Sequence, residues 1–162
     1  MLHPIKPQSW QHIESIQTAC YPQLPPESLV CLQSKWRLSP ETCFVFMQNE
    51  EIVGYCLAHP WQRQLPPDLN TKVSARPAYD CLYLHDIAIL PKARKRGLAE
   101  LTLQTLKQQA TTLSLAHLAL VSIPEAQQYW RNQGFLSLDI SKELSPYGPN
   151  SQYMELALPQ SI

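Results

Sequence analysis

Fifteen prolines set against four glycines are the strongest constraint on what this 162-residue chain can become. Proline fixes φ and lacks a backbone N–H, so it ends helices and stays out of central strands. Pro22, Pro25 and Pro26 close a first helix, in which Trp10, Ile13, Ile16 and Cys20 recur at helical spacing behind an N-cap at Ser9. Pro26 then sits near the first turn of a second helix, Glu27 to about Leu38. Pro60, Pro66, Pro67 and Pro77 stud a connection over residues 60–80, a length that is uncommon unless the segment is functional or disordered. Its Trp61 and Tyr79 are candidates to cover a pocket, and a plain surface excursion is the alternative.

Between these stops the hydrophobic pattern assigns the remaining elements. Strand-like runs cover Leu2–Lys6, Cys81–Ile89, Leu115–Ser122, Phe135–Ile140 and Gln152–Leu158. Thr42–Gln48 and Ile52–His59 form a hairpin across Asn49-Glu50-Glu51. A helix from about Gly97 to Ala110 carries Ala99, Leu103, Leu106, Ala110 and Leu113 along one stripe. A shorter one opens at Pro124, presents Ala126, Tyr129 and Trp130, and is ended by Gly134. The order β, α, α, β, β, β, α, β, α, β, β describes an α/β (α+β) chain with a mixed sheet, read as one domain over residues 1–162.

Composition excludes several classes of function. With 44% hydrophobic and 16% charged residues the chain is globular, not disordered. Net charge is zero, whereas nucleic-acid binders carry a basic excess. The longest apolar run, Cys43 to Met47, is far short of the roughly 20 residues that span a membrane. The start, Met1-Leu2-His3-Pro4, lacks the apolar region of a secretory signal, so a cytoplasmic protein is expected. Cys20, Cys31, Cys43, Cys56 and Cys81 are odd in number and widely spaced, which argues against a disulfide framework or a metal site. A homodimer is left open.

The chemistry concentrates in Leu82–Glu100, a buried strand followed by a basic loop and a helix start. A helix N-terminus leaves about four amides without partners and carries about half a positive charge, a combination that suits an anion. Gly97 keeps a Cβ out of a phosphate's way, and Ala99 is nearly as small. Lys92, Arg94, Lys95 and Arg96 bring four of the 13 cationic side chains together. Taken alone, this element reads equally as a solvated basic loop. It is neither a P-loop nor a Rossmann fingerprint, since both need further glycines.

Arg94-Lys95-Arg96-Gly97-Leu98-Ala99 resembles the R/Q-x-x-G-x-G/A signature of GNAT-type N-acetyltransferases. Ile87-Ala88-Ile89-Leu90-Pro91 looks like that family's strand four with its proline turn, and Pro124 to Phe135 looks like its aromatic segment ending in Gly-Phe. Within the family, Tyr83-Leu84-His85 and the contexts of Trp61, Tyr147 and Tyr153 are most similar to the arylalkylamine (serotonin) N-acetyltransferase branch and its bacterial relatives, with Tyr83 standing where that branch has a first histidine. The resemblance implies a mixed, mostly antiparallel sheet, strands four and five splayed apart, and about four flanking helices. It implies acetyl-CoA as co-substrate, its diphosphate held by Arg94, Lys95, Arg96, Gly97, Leu98, Ala99 and Glu100. Its pantetheine arm would run along Ile87, Ala88 and Ile89, with Trp130 beside it.

An alkylammonium acceptor must lose a proton before it attacks a thioester, and histidine is the default base near neutral pH. His85 is assigned that role, the alternative being a core histidine bonded to backbone. Strand alternation puts Tyr83, His85 and Ile87 on one face and Asp86 on the other, paired with a cation or a loop amide. Many family members place a tyrosine where this chain has Trp130, which cannot protonate the coenzyme thiolate. Tyr147 or Tyr153 would have to replace it, or the thiolate leaves unaided. Catalytic candidates are therefore His85, Tyr83 and Tyr147, acting on a small-molecule amine. A protein or peptide acetyltransferase and a non-catalytic coenzyme A-binding module are the rivals.

Overall fold

Among the described residues seven strands make one sheet: β1 (Leu2–Pro4), β2 (Phe44–Gln48), β3 (Glu51–Trp61), β4 (Cys81–Ile89), β5 (His117–Ser122), β6 (Leu136–Ser137) and β7 (Gln152–Ala157). Four helices flank it: α1 (Trp10–Cys20), α2 (Leu29–Leu38), α3 (Leu98–Thr112) and α4 (Pro124–Asn132). The computed structural model describes residues 1–160. The strand order is β1-β2-β3-β4-β5-β7-β6. Every neighbouring pair is antiparallel except β4 and β5, which α3 joins as a crossover. Those two pair only at Leu82 with Leu118 and at Tyr83 with Ala119, and beyond Tyr83 they part. This is the mixed sheet read from the element order, splayed as the resemblance implies.

One face of the sheet is covered by α3 and α4. Leu98, Leu103, Leu106 and Ala110 pack with Trp130 and Phe135 over Leu82, Leu84, Leu118 and Met154. The other face is covered by α1 and α2, where Trp10, Ile13, Ile16 and Leu32 meet Val45, Tyr55, Leu57 and Ala88. Full burial of each large apolar side chain contributes about 1.5–3 kcal/mol, so the two layers hold the sheet from both sides.

Several boundaries differ from the sequence reading for local reasons. Ser9 stands at the N-cap of α1, but its Oγ accepts from the Lys6 amide instead of the first helical turn. The second helix starts at Leu29 because Ser28 Oγ accepts from the Cys31 amide, and this leaves Glu27 outside the helix. The strand expected over Phe135–Ile140 shrinks to Leu136–Ser137, since β7 offers it only two paired positions.

The largest departure lies in β4. Leu57 pairs with Asp86 and Ala58 with Leu84, so His85 is an extra residue with no opposite number. Such a bulge shifts the alternation of side chains by one. Before it, Tyr83 sits opposite His59; after it, Asp86 and Ala88 sit opposite Leu57 and Tyr55, on the α1/α2 side. Ile87 and Ile89 consequently join Leu82 and Leu84 on the α3/α4 side. The expectation that Tyr83, His85 and Ile87 share a face, with Asp86 opposed, is thereby corrected.

Candidate active site

The parting of β4 from β5 leaves two cavities. One of about 480 Å³ runs beside Ile87–Ile89 and the turn that opens α3. The other, about 350 Å³, lies between the α1–α2 connection, the 60–80 segment and the turn at Ser145–Tyr147. They share Tyr21, Ile87, Ala126 and Trp130 as lining, so together they form a passage through the gap.

In the larger cavity Gly97 takes φ +76°, and a Cβ there would meet nothing within 4 Å. The first intrahelical bond of α3 runs from the Leu101 amide to the Gly97 carbonyl, which leaves the amides of Leu98, Ala99 and Glu100 ahead of it as the free helix terminus. Arg94, Lys95, Gly97, Leu98, Ala99 and Glu100 all line this space, as do Ile87, Ala88, Ile89 and Trp130. Arg96 is exposed and stands outside the lining, and Lys92 turns away to pair with Glu51 at 2.6 Å. The Arg94 Nε donates to the Ile89 carbonyl at 2.8 Å. The cradle is open, basic and free of obstructing side chains at its glycine, as an oxyanion-bearing ligand requires.

The smaller cavity is built around His85. Its Nε2 lies 2.6 Å from Glu27 Oε2, and its side chain is 1% exposed. Burial pushes the Glu27 carboxyl up, but the charge and hydrogen bond of His85, the Lys35 ammonium and the Asn70 amide outweigh it and bring the group down to about 2. Lys35 Nζ stands 3.6 Å from Glu27 Oε1, and the Asn70 amide donates to the same oxygen at 2.6 Å. Gln17 clamps the Glu27 backbone from both sides, donating to its carbonyl and accepting from its amide. An ionised carboxylate accepts, so Nε2 is the nitrogen that donates to Glu27, and Nδ1 is the one that holds the lone pair when the ring is neutral. That Nδ1 is buried and has no partner. A carboxylate-oriented imidazole with a free nitrogen is a proton acceptor.

Asp86 lines the same cavity. Its Oδ2 accepts from the Tyr55 hydroxyl at 2.5 Å. Burial raises the carboxyl to about 6 against the pull of Tyr55, His85 and Tyr21. Its partner is thus the Tyr55 hydroxyl, not the cation or loop amide expected. Glu27 and Asp86 are both acids, and no Lys or Arg side chain stands with them in this lining among the described residues. The remaining wall is largely apolar, with Leu24, Pro25, Pro26, Leu69, Leu120 and Ile123.

Tyr147 also lines this cavity, and its hydroxyl donates to the Pro67 carbonyl. Tyr83 is fully buried behind His85, with ring centroids 6.3 Å apart, and lines neither cavity. His59 packs against both, and burial takes it down to about 3, so it stays neutral. Tyr153 is tied to Glu155 and the Gln64 amide, outside both cavities. Trp130 packs edge-on to Phe135 and Tyr129. The 60–80 segment does cover the site, but through Leu69 and Asn70. Trp61 donates to the Leu65 carbonyl and Tyr79 lies under the Arg76 guanidinium, so neither of the two aromatics forms the cover expected of it. Glu27, Gln17, Asn70 and Tyr21 were not foreseen as site residues. The one signal for Glu27 is its position after two prolines, which hold it out of the helix.

The family model described as Acetyltransferase (GNAT) family matches residues 10–135. Among curated proteins, no relative matches the sequence significantly. A solved GNAT-like decarboxylase, GphF, in complex with isobutyryl-CoA is 15% identical, with a TM-score of 0.78 over 98% of this chain and 100% of its own. The ribosomal-protein-S18-alanine N-acetyltransferase from Escherichia coli is 17% identical, with a TM-score of 0.68 over 100% of this chain and 96% of its own. N-acetylglutamate synthase from Neisseria gonorrhoeae, complexed with coenzyme A and N-acetyl-glutamate, is 14% identical, with a TM-score of 0.72 over 99% of this chain and 35% of its own. At such identities the likeness is one of fold.

Proposed function

We propose that this chain, which belongs to the acetyltransferase (GNAT) family, moves the acetyl group of acetyl-CoA directly onto the primary amine of a small molecule. The observation that carries the reading is the His85–Glu27 pair in the wall of a cavity that opens onto the basic cradle of α3, with His85 Nδ1 buried and without a hydrogen-bond partner. The diphosphate is held by the free amides of Leu98, Ala99 and Glu100 with Arg94 and Lys95 at the rim. The pantetheine arm lies along the open edge at Ile87–Ile89 as an added strand. A β4 amide at the gap polarises the acetyl carbonyl.

The acceptor arrives as an ammonium ion, drawn by the carboxylates of Glu27 and Asp86. His85 Nδ1 removes a proton, directly or through one water, and Glu27 stabilises the imidazolium that results. The amine then attacks the thioester, and no protein nucleophile is needed. A cavity lined by two carboxylates and by no Lys or Arg among the described residues favours an amine whose body is apolar and carries no carboxylate, in keeping with the likeness to the arylalkylamine branch. A cytoplasmic setting keeps the five free thiols reduced, and no helix among the described residues is long and apolar enough to cross a membrane.

Trp130 in place of an acid favours a second reading, a module that binds coenzyme A without turnover. Acetyl-CoA-dependent thiol release with a panel of amines separates the two. The panel spans arylalkylamines, amino acids and peptides with free N-termini. Release with the carboxylate-free amines is expected; release with peptides alone assigns the protein-acetylating rival. Binding of acetyl-CoA without turnover of any amine overturns the enzymatic reading.

A further inference from the structure

Where Trp130 leaves the junction of the two cavities without an acid, another element supplies a hydroxyl. Tyr21 stands at the C-cap of α1, its amide bonded to the Gln17 carbonyl. Tyr21 lines both cavities, on the same passage as Trp130 and Ile87. Its Oη donates to the Ile87 carbonyl at 2.6 Å, on the strand edge where β4 leaves β5. The other two tyrosines of these linings do not reach both sides. Tyr147 lines the smaller cavity alone, Tyr129 the larger alone. We propose that Tyr21 is the catalytic acid that protonates the departing coenzyme thiolate. This rests on the acetyl-transfer reading above.

The step balances without a further reactant. His85 takes one proton from the acceptor ammonium, and the freed amine forms the N–C bond. As the intermediate collapses, the C–S electron pair goes to sulfur and the Tyr21 O–H proton goes with it. The nitrogen, still carrying one proton too many, returns that proton to the Tyr21 phenolate. Amide and thiol leave, Tyr21 is restored, and the proton on His85 is released to solvent. Burial and then the Asp86 charge raise the Tyr21 hydroxyl well above its usual range, so it enters the cycle protonated. An extended ligand that pairs with the Ile87 carbonyl competes with the hydroxyl for that acceptor.

Single-turnover transfer from acetyl-CoA to the best amine of the panel tests this in wild type and Tyr21→Phe, with calorimetry for acetyl-CoA and thermal melting alongside. The transfer rate is expected to fall roughly 10²–10⁴-fold, the range of a lost general acid, with the acetyl-CoA dissociation constant unchanged. A folded variant that transfers at the wild-type rate overturns the proposal. So does a rate loss matched by an equal loss of affinity, which makes Tyr21 a prop for Ile87. If Tyr21→Phe does not fold, 3-fluorotyrosine at position 21 keeps the hydroxyl and makes it more acidic. The alkaline limb of the single-turnover profile must then move to lower pH, and an unmoved limb overturns the assignment. A wild-type protein that binds acetyl-CoA but acetylates nothing is a separate failure, that of the site reading itself, and the acid falls with it.

Discussion

Glu27 Oε2 approaches His85 Nε2 to 2.6 Å across 58 residues of sequence. The contact fixes which ring nitrogen keeps its lone pair. Glu27→Gln nearly preserves shape but offers an amide in place of the carboxylate, so the ring is free to turn its proton toward the cavity. Acetyl transfer should fall by roughly 10²–10⁴-fold, the usual worth of a base. Affinity for acetyl-CoA, read by calorimetry, should hold, because the cradle lies on the far side of the gap.

The same pair gives folding a pH dependence. Glu27 falls from its ordinary 4.5 to about 2, despite burial, through His85, Lys35 and the Asn70 amide. A depressed carboxylate stabilises the fold above the unfolded value and loses that contribution as pH falls toward about 2. The difference corresponds to about 3 kcal/mol. Urea titrations from pH 6 down to 2 should show a steep acid limb in the wild type and a shallower one in Glu27→Gln.

Asp86 has the opposite sign. Burial raises it from 3.8 to about 6, so the folded state prefers the protonated form. Its contribution is full below about 4 and lost as pH rises through about 6, again about 3 kcal/mol. Asp86→Asn removes that loss. Between pH 4 and pH 7 the stability difference between variant and wild type should therefore shift in the variant's favour, which denaturation midpoints at the two pH values would show.

The elements that follow a simple period were legible in the residues. The stripe Leu103, Leu106, Ala110 buries as its spacing demands, and the Arg94–Ala99 motif stands at the open terminus of α3. What escaped was whatever breaks a period or spans a long separation. Strict alternation carried through β4 assigns Asp86 and Ile87 to the wrong faces, because one extra residue at His85 shifts everything after it. Glu27 meets His85, and Tyr21 meets Ile87, only because α1 and α2 pack on that face of the sheet. No local pattern encodes such a meeting. Trp130 shows both sides: the sequence placed it beside the coenzyme groove, and a hydroxyl from a distant helix end stands on the same passage.

Gly54 secures the closeness of β3 and β4 where the groove begins. A Cβ there would lie 2.5 Å from Phe46 Cδ2 and 2.6 Å from the Ala88 carbonyl oxygen. The ring can turn; the strand backbone cannot move without opening the β3–β4 pairing at Ile89. Gly54→Ala should cost about 1–3 kcal/mol, the usual range for overpacking, read as a lowered denaturation midpoint.

Gly97 makes the opposite case, since space around it is open and its backbone is the constraint. At φ +76° an added side chain costs about 1–2 kcal/mol. An added Cβ meets nothing within 4 Å, so the cost is the backbone's, greatest for a β-branched residue, and Gly97→Val should fold with a lowered melting temperature. The new side chain would occupy the mouth of the cradle, beside the free amides of Leu98 and Ala99. Coenzyme A affinity should drop by tenfold or more, about 1.4 kcal/mol. Gly97→Ala should fall between the two. Calorimetry on both variants would show it, and unchanged affinity in a folded Gly97→Val protein would remove the diphosphate from this turn.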